Sequence, residues 1–141
     1  MPYRKQTWIR WITSVPEPRS VRFGYLLAYV LWAIAGISVL IQPPTSLSGA
    51  VGEGLTYLWG AFLAVGGAVG AGTVLTHFWY LERFSIWLTG AGIAVYGILV
   101  GSMHVLESGN RLPQLMFILA GLVFLVVRYL RIKGPNIQPG K

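Results

Sequence analysis

The sequence contains no cysteine and no aspartate, and charged residues make up only 11% of its 141 residues. Without cysteine, the chain has no disulfide, no thiol chemistry and no cysteine metal ligand. Without aspartate, a Ser-His-Asp nucleophilic site is excluded. Soluble domains carry about 25% charged residues. The low charge, with 55% hydrophobic residues, therefore predicts an integral membrane protein of one domain.

Ionisable side chains that could support chemistry are few, namely His77, Glu82, His104 and Glu107. Acid–base catalysis or metal binding would require them to converge, but they are expected at opposite membrane faces. No ionisable residue is found in the middle of an apolar run, which argues against a proton-coupled exporter. We therefore expect no enzyme activity, no catalytic residues, no metal and no cofactor.

Four apolar runs, at about residues 23–41, 55–77, 85–104 and 112–131, predict an all-α fold with four transmembrane helices. Roughly 20 apolar residues cross the ~30 Å hydrocarbon core as a helix. Two adjacent helix-breaking residues follow the first run, Pro43-Pro44, and two follow the last run, Gly134-Pro135. The transmembrane domain is thus expected over residues 23–133, with a tight aromatic turn over 78–84 and a cytoplasmic tail over 134–141.

Small residues line the second and third spans at helical spacing. Lipid gives helices no hydrophobic reason to associate, so close backbone packing must supply it, and small side chains permit that approach. We expect these two spans to form an antiparallel hairpin through their small faces. The predicted packing residues are Gly60, Ala64, Gly66, Gly67, Gly70 and Ala71 in the second span, and Gly90, Ala94, Gly97 and Gly101 in the third.

The first 22 residues are basic and amphipathic. Trp8, Trp11 and Ile12 share one helical face, while Lys5 and Arg10 point elsewhere. This pattern predicts a short helix lying in the membrane interface, and the alternative is a disordered basic tail. Further interface residues are expected at the ends of the spans: Trp79, Tyr80, Arg128 and Arg131.

The distribution of cations predicts the orientation. Of the eleven Lys and Arg residues, nine lie in the two terminal segments, and the first loop has none. With four spans, both termini and the second loop share one side, which by the positive-inside rule is the cytoplasm. Because the cations adjoin apolar spans, anionic lipid headgroups are the expected counter-charge for the net +7, and nucleic acid is not an expected partner.

Several segments also resemble a known group of proteins: Val15–Tyr25, the Pro43-Pro44 loop, Leu58–Gly60 with the glycines that follow, Gly109–Leu112 and Val127–Arg131. Taken together, they are similar to small four-span, holin-like membrane proteins encoded by bacteriophages of actinobacteria. The resemblance implies a homo-oligomer in the host cytoplasmic membrane. It also implies membrane lesions that release or activate a partner lysis protein. The alternative is a non-permeabilising interaction or scaffold protein that docks a cytoplasmic partner through its basic termini.

The orientation is testable because the native chain has no cysteine. Ser48→Cys, in the cation-free first loop, should react with a membrane-impermeant thiol reagent in intact cells, whereas Ser14→Cys should react only after permeabilisation. Labelling of Ser14→Cys in intact cells would contradict the predicted orientation.

Overall fold

The computed structural model describes residues 19–45, 49, 52–76, 78–107 and 109–133. Within these residues there are no strands, and the long elements are four α-helices: α1 (Arg19–Ile41), α2 (Glu53–Thr73), α3 (Trp79–Leu106) and α4 (Leu112–Lys133). Each helix is long and apolar enough to cross a membrane, so the predicted all-α, multi-pass membrane fold is confirmed. The predicted interfacial helix and tail lie outside the described residues; the interfacial helix includes Lys5, Trp8, Arg10, Trp11 and Ile12.

The second connection differs from the predicted aromatic turn. Helix α3 begins at Trp79, so Glu82 and Arg83 lie inside the helix and not in a loop. The preference of aromatic side chains for the membrane boundary indicates their depth, not their backbone conformation. Since residues 78–84 contain neither glycine nor proline, nothing in them stops a helix. With 28 residues, α3 is about 42 Å long at 1.5 Å per residue.

The helices form an up-and-down bundle in which each packs against the next along the chain. Helices α1 and α4 also meet, since the rings of Tyr25 and Trp32 lie 4.7 Å and 6.1 Å from the ring of Phe124. The first turns of α1 thus lie beside the last turns of α4. The start of α1, the end of α4 and the α2–α3 connection therefore lie at the same end of the bundle.

The glycines of α2 bring its backbone against α1. A Cβ atom on Gly67 would lie 2.5 Å from the amide nitrogen of Ala33 and 2.7 Å from the carbonyl oxygen of Tyr29. One turn further along, Gly36 of α1 packs on the backbone of Ala64, and its Cβ would lie 2.6 Å from the Gly60 carbonyl oxygen. Side chains have no room at these contacts, so the α1–α2 seam requires small residues.

The opposite side of α2 contacts α3 equally closely. A Cβ atom on Gly66 would lie 2.7 Å from the amide nitrogen of Thr89, and Gly70 packs against the Ser85 hydroxyl. From the α3 side, Gly92 faces Leu63 at 3.1 Å. Ala71 of α2, which was also expected in the packing face, is half-buried. Helix α2 is therefore held between α1 and α3 by direct backbone approach on two sides.

The small residues of α3 face a different partner from the one expected. Cβ atoms on Gly90, Gly97 and Gly101 would meet side chains of α4 at 3.7, 3.1 and 3.9 Å, and Ala94 borders the same seam. The hairpin of the second and third spans therefore does not form by pairing two glycine faces. The α3 face that meets α2 carries Ser85, Thr89 and Gly92 at positions i, i+4 and i+7, which leaves Gly90, Ala94, Gly97 and Gly101 for α4.

This difference in packing predicts a graded response to substitution. Gly67→Ala should destabilise the protein by roughly 1–3 kcal/mol, because the new methyl group meets fixed backbone atoms of α1. Gly97→Ala should cost less, since its nearest neighbour is a side-chain methyl group of Ile118 at 3.1 Å and not backbone. The measurement is unfolding of each variant in detergent micelles.

Gly72 provides the matched control, because it lies in the same helix as Gly67 but a Cβ there has nothing within 4 Å. Gly72→Ala should leave stability unchanged or slightly increased. Equal stability of the Gly67 and Gly72 variants would mean that α1 and α2 are not in backbone contact.

Candidate functional site

A buried ion pair joins α3 to α4. It lies near the end of the bundle where α1 begins and α4 ends. Arg128 Nε donates to Glu82 Oε1 at 2.7 Å, and the two side chains are 4% and 7% exposed. Glu82 is the fourth residue of α3 and Arg128 the sixth from the end of α4. Because consecutive helices run in opposite directions, the start of α3 and the end of α4 lie at similar depth, which brings the charges together.

Helix α1 completes the surroundings of the pair. The guanidinium carbon of Arg128 lies 4.5 Å from the centroid of the Tyr25 ring, a cation–π arrangement that is worth about 2 kcal/mol or more when desolvated. The Tyr25 ring also packs on Phe124, with the ring centroids 4.7 Å apart. The positive charge is therefore held by a carboxylate from α3 and an aromatic face from α1.

Helix α2 contributes backbone rather than side chains. Ser85 Oγ donates to the Gly66 carbonyl oxygen at 2.6 Å, a hydrogen bond between adjacent helices. Gly70 has room for neither a methyl group nor a larger side chain, because the Tyr29 ring and the Ser85 hydroxyl occupy that space. Tyr29 of α1 is 1% exposed. Because Ser85 lies about one helical turn after Glu82, these contacts of α1, α2 and α3 lie next to the buried charge pair.

One buried hydroxyl in this region, Thr89 Oγ1, has no hydrogen-bond partner among the described residues. Thr89 is 0% exposed. A buried hydroxyl without a partner costs about 1–3 kcal/mol, and such groups are rare in native structures. The region is therefore more polar than packing of an apolar bundle requires, which makes it the candidate functional site.

Of the other predicted titratable residues, His104 and Glu107 lie at the far end of α3, and His77 lies outside the described residues. Glu82 and His104 are 22 residues apart in that helix, which is about 33 Å along its axis. His104 Nδ1 accepts the Arg111 backbone N–H at 3.3 Å, and Arg111 Nη2 donates to Glu107 at 2.7 Å. These contacts close the α3–α4 loop, and within the described residues no three His, Cys, Asp or Glu side chains cluster as metal ligands would.

An apolar groove lies along the α3–α4 seam beside the ion pair. It has a volume of 390 Å³ and is lined by Ile86, Trp87, Gly90, Ala91, Ala94, Leu122, Leu125, Val126 and Tyr129. Trp87 on its rim is 68% exposed. The groove exists because small residues of α3 face side chains of α4 without backbone contact.

The residues predicted for the membrane interface have different environments. Tyr80 is 86% exposed and Arg131 is exposed, while Trp79 is half-buried. Arg128 departs furthest from the expectation, since it is 3% exposed inside the bundle. A lysine or arginine near a helix end ordinarily extends to the headgroups, but here a carboxylate at the same depth holds it inside. The sequence signal for this pair is one acid early in α3 and one base late in α4.

Comparisons of the chain with protein-family models, curated proteins and solved structures find no match.

The ion pair predicts a marked asymmetry between single and double substitutions. Glu82→Gln should destabilise the protein by roughly 3–5 kcal/mol, because a buried charge loses its carboxylate. Glu82→Met combined with Arg128→Met should recover most of that loss, since two apolar side chains of similar size need no charge partner. Unfolding in detergent micelles measures both.

Glu107→Gln is the matched control, because Glu107 also pairs with an arginine at 2.7 Å but the pair is 45% and 30% exposed. Its removal should cost less than about 1 kcal/mol. Similar losses for Glu82→Gln and Glu107→Gln would contradict a desolvated pair at the candidate site.

Proposed function

We propose that this protein is a holin-like bacteriophage membrane protein that self-associates in the host cytoplasmic membrane and permeabilises it or regulates lysis. The observation that carries the proposal is the apolar groove on the α3–α4 seam, where α4 covers the small residues of α3 only in part. Gly90, Ala91 and Ala94 line this groove and are only partly buried. Small residues that remain accessible in the membrane allow a helix from a second copy to approach.

The structure narrows the assembly surface that the sequence suggested. Gly60, Gly66, Gly67 and Gly70 of α2 contact α1 or α3 within the same chain, so these four glycines are not free for self-association. The surface proposed here is therefore the α3 face bordered by Gly90, Ala94 and Trp87. The resemblance to actinobacteriophage membrane proteins and the concentration of cations on one side support placement in a bacterial cytoplasmic membrane with both termini inside.

A second function is favoured by one specific observation. Backbone contacts and a buried ion pair unite all four helices into one unit, which is what a stable, non-permeabilising membrane protein requires. Its basic termini would then dock a cytoplasmic partner or anionic headgroups. An enzyme is the least supported alternative, because the described residues present no set of catalytic groups.

Inducible expression in bacteria with a membrane-potential dye tests the first function against the second. The wild-type protein should depolarise the membrane and form cross-linkable oligomers. Ala94→Leu should abolish both, because the larger side chain fills the α3–α4 groove from the α3 side. Folding of the variant is checked separately by its unfolding in detergent.

Ala120→Leu is the matched control, since Ala120 is exposed on α4 and does not line the groove. It should depolarise the membrane like the wild type. A well-folded wild-type protein that causes no depolarisation at any expression level would exclude the lysis function and leave the interaction protein as the better explanation.

A further inference from the structure

Helix α4 is attached to the bundle in a different way from the other three helices. Along α1–α2 and α2–α3, glycines approach the backbone of the next helix so closely that a Cβ atom would lie 2.5–2.7 Å from main-chain atoms. Along α3–α4 the corresponding approaches are 3.1–3.9 Å and end on side chains. Helices α1, α2 and α3 therefore form a rigid core, and α4 rests on it through side chains.

The two ends of α4 are fixed by different contacts. At its start, the loop contacts of His104, Glu107 and Arg111 tie it to the end of α3, and Gln114 donates to the Tyr96 hydroxyl. Towards its other end, Arg128 pairs with Glu82 and lies over Tyr25. The groove occupies the seam between these two attachments, so apolar packing is weakest next to the ion pair.

A buried ion pair is a poor source of net stability, because desolvation of both charges offsets their attraction, and apolar replacements are often as stable. The pair instead specifies which part of α4 meets α3. The attachment lasts only while the guanidinium and the carboxylate remain in contact.

We infer that the Glu82–Arg128 pair is a latch that holds the C-terminal half of α4 against the α1–α3 core, and that loss of either charge lets this half move away. The movement pivots at the α3–α4 loop, which keeps its own contacts. It widens the groove and exposes the small face of α3. The latch is a conformational device of the monomer and does not depend on whether the protein permeabilises membranes.

Distances between spin labels in the full-length protein in lipid vesicles test the latch. The chain has no native cysteine, so labels attach only at introduced ones. Leu27→Cys on α1 and Leu130→Cys on α4, which are 61% and 59% exposed, report the position of the end of α4. Leu27→Cys with Phe84→Cys, which is 57% exposed on α3, reports whether α1 and α3 move relative to each other within the core.

With Glu82 intact, both label pairs should give one narrow distance. In Glu82→Gln, the 27–130 distance should lengthen and broaden while the 27–84 distance stays narrow. Glu107→Gln, which removes the exposed ion pair at the opposite end, should change neither. If Glu82→Gln does not fold, Arg128→Lys serves as the milder variant, since it keeps the positive charge but lacks the planar guanidinium. It should broaden the 27–130 distance alone.

Three results would overturn the inference. The 27–130 distance could remain unchanged when the pair is removed, or the 27–130 and 27–84 distances could broaden together, which would make the pair a support of the whole bundle. Glu107→Gln could broaden the 27–130 distance as much as Glu82→Gln does. Depolarisation measurements decide the proposed function independently, so failure of one leaves the other standing.

Discussion

Close contact between helix backbones is the constraint on which this fold depends. A helix in lipid gains little by burying a leucine against another helix, since the acyl chains are equally apolar. Association must then come from dispersion and dipolar contacts at short range, which glycine makes possible. Helix α2 satisfies this requirement on two sides at once, through Gly67 towards α1 and Gly66 towards α3. Helix α2 thereby joins α1 to α3.

The polar site follows from the same close approach. Gly70 leaves room for the Tyr29 ring and the Ser85 hydroxyl at one level of the bundle, and Ser85 reaches the Gly66 carbonyl oxygen because no side chain intervenes. The low dielectric of this interior strengthens the attraction between Glu82 and Arg128 but also makes either charge costly alone. Tight packing at α1, α2 and α3 therefore surrounds one interaction that depends on charge.

The number and approximate position of the spanning helices could be predicted from sequence, because hydropathy over a membrane-length window depends on composition alone. The involvement of α2 glycines in packing could also be predicted, but not the partner of each face. Which side of α3 meets α2 depends on where Glu82, Ser85 and Thr89 are accommodated, and that is a property of the whole bundle. Gly36 was not singled out, although Ala33 and Gly36 form a small patch in the first span.

The site itself was harder to predict for a related reason. Glu82 was assigned to a turn and Arg128 to the headgroup region, so each was interpreted as solvated. Recognising the pair requires that α3 begin at Trp79 and that α3 and α4 run antiparallel at matching depth. Neither condition follows from the local sequence, since aromatic residues at a boundary are compatible with helix or turn.

The length of α3 has a consequence for the surrounding bilayer. Its 28 residues exceed the 21–23 residues of the other three helices, so the bundle has no single hydrophobic thickness. A helix of about 42 Å in a core of about 30 Å must tilt, thicken the lipid around it or extend its ends into the headgroups. Because Glu82 lies in the first turn of this helix, an adjustment at that end of α3 acts on the segment that carries the buried carboxylate. Bilayer thickness is thereby linked to the depth at which that charge is held.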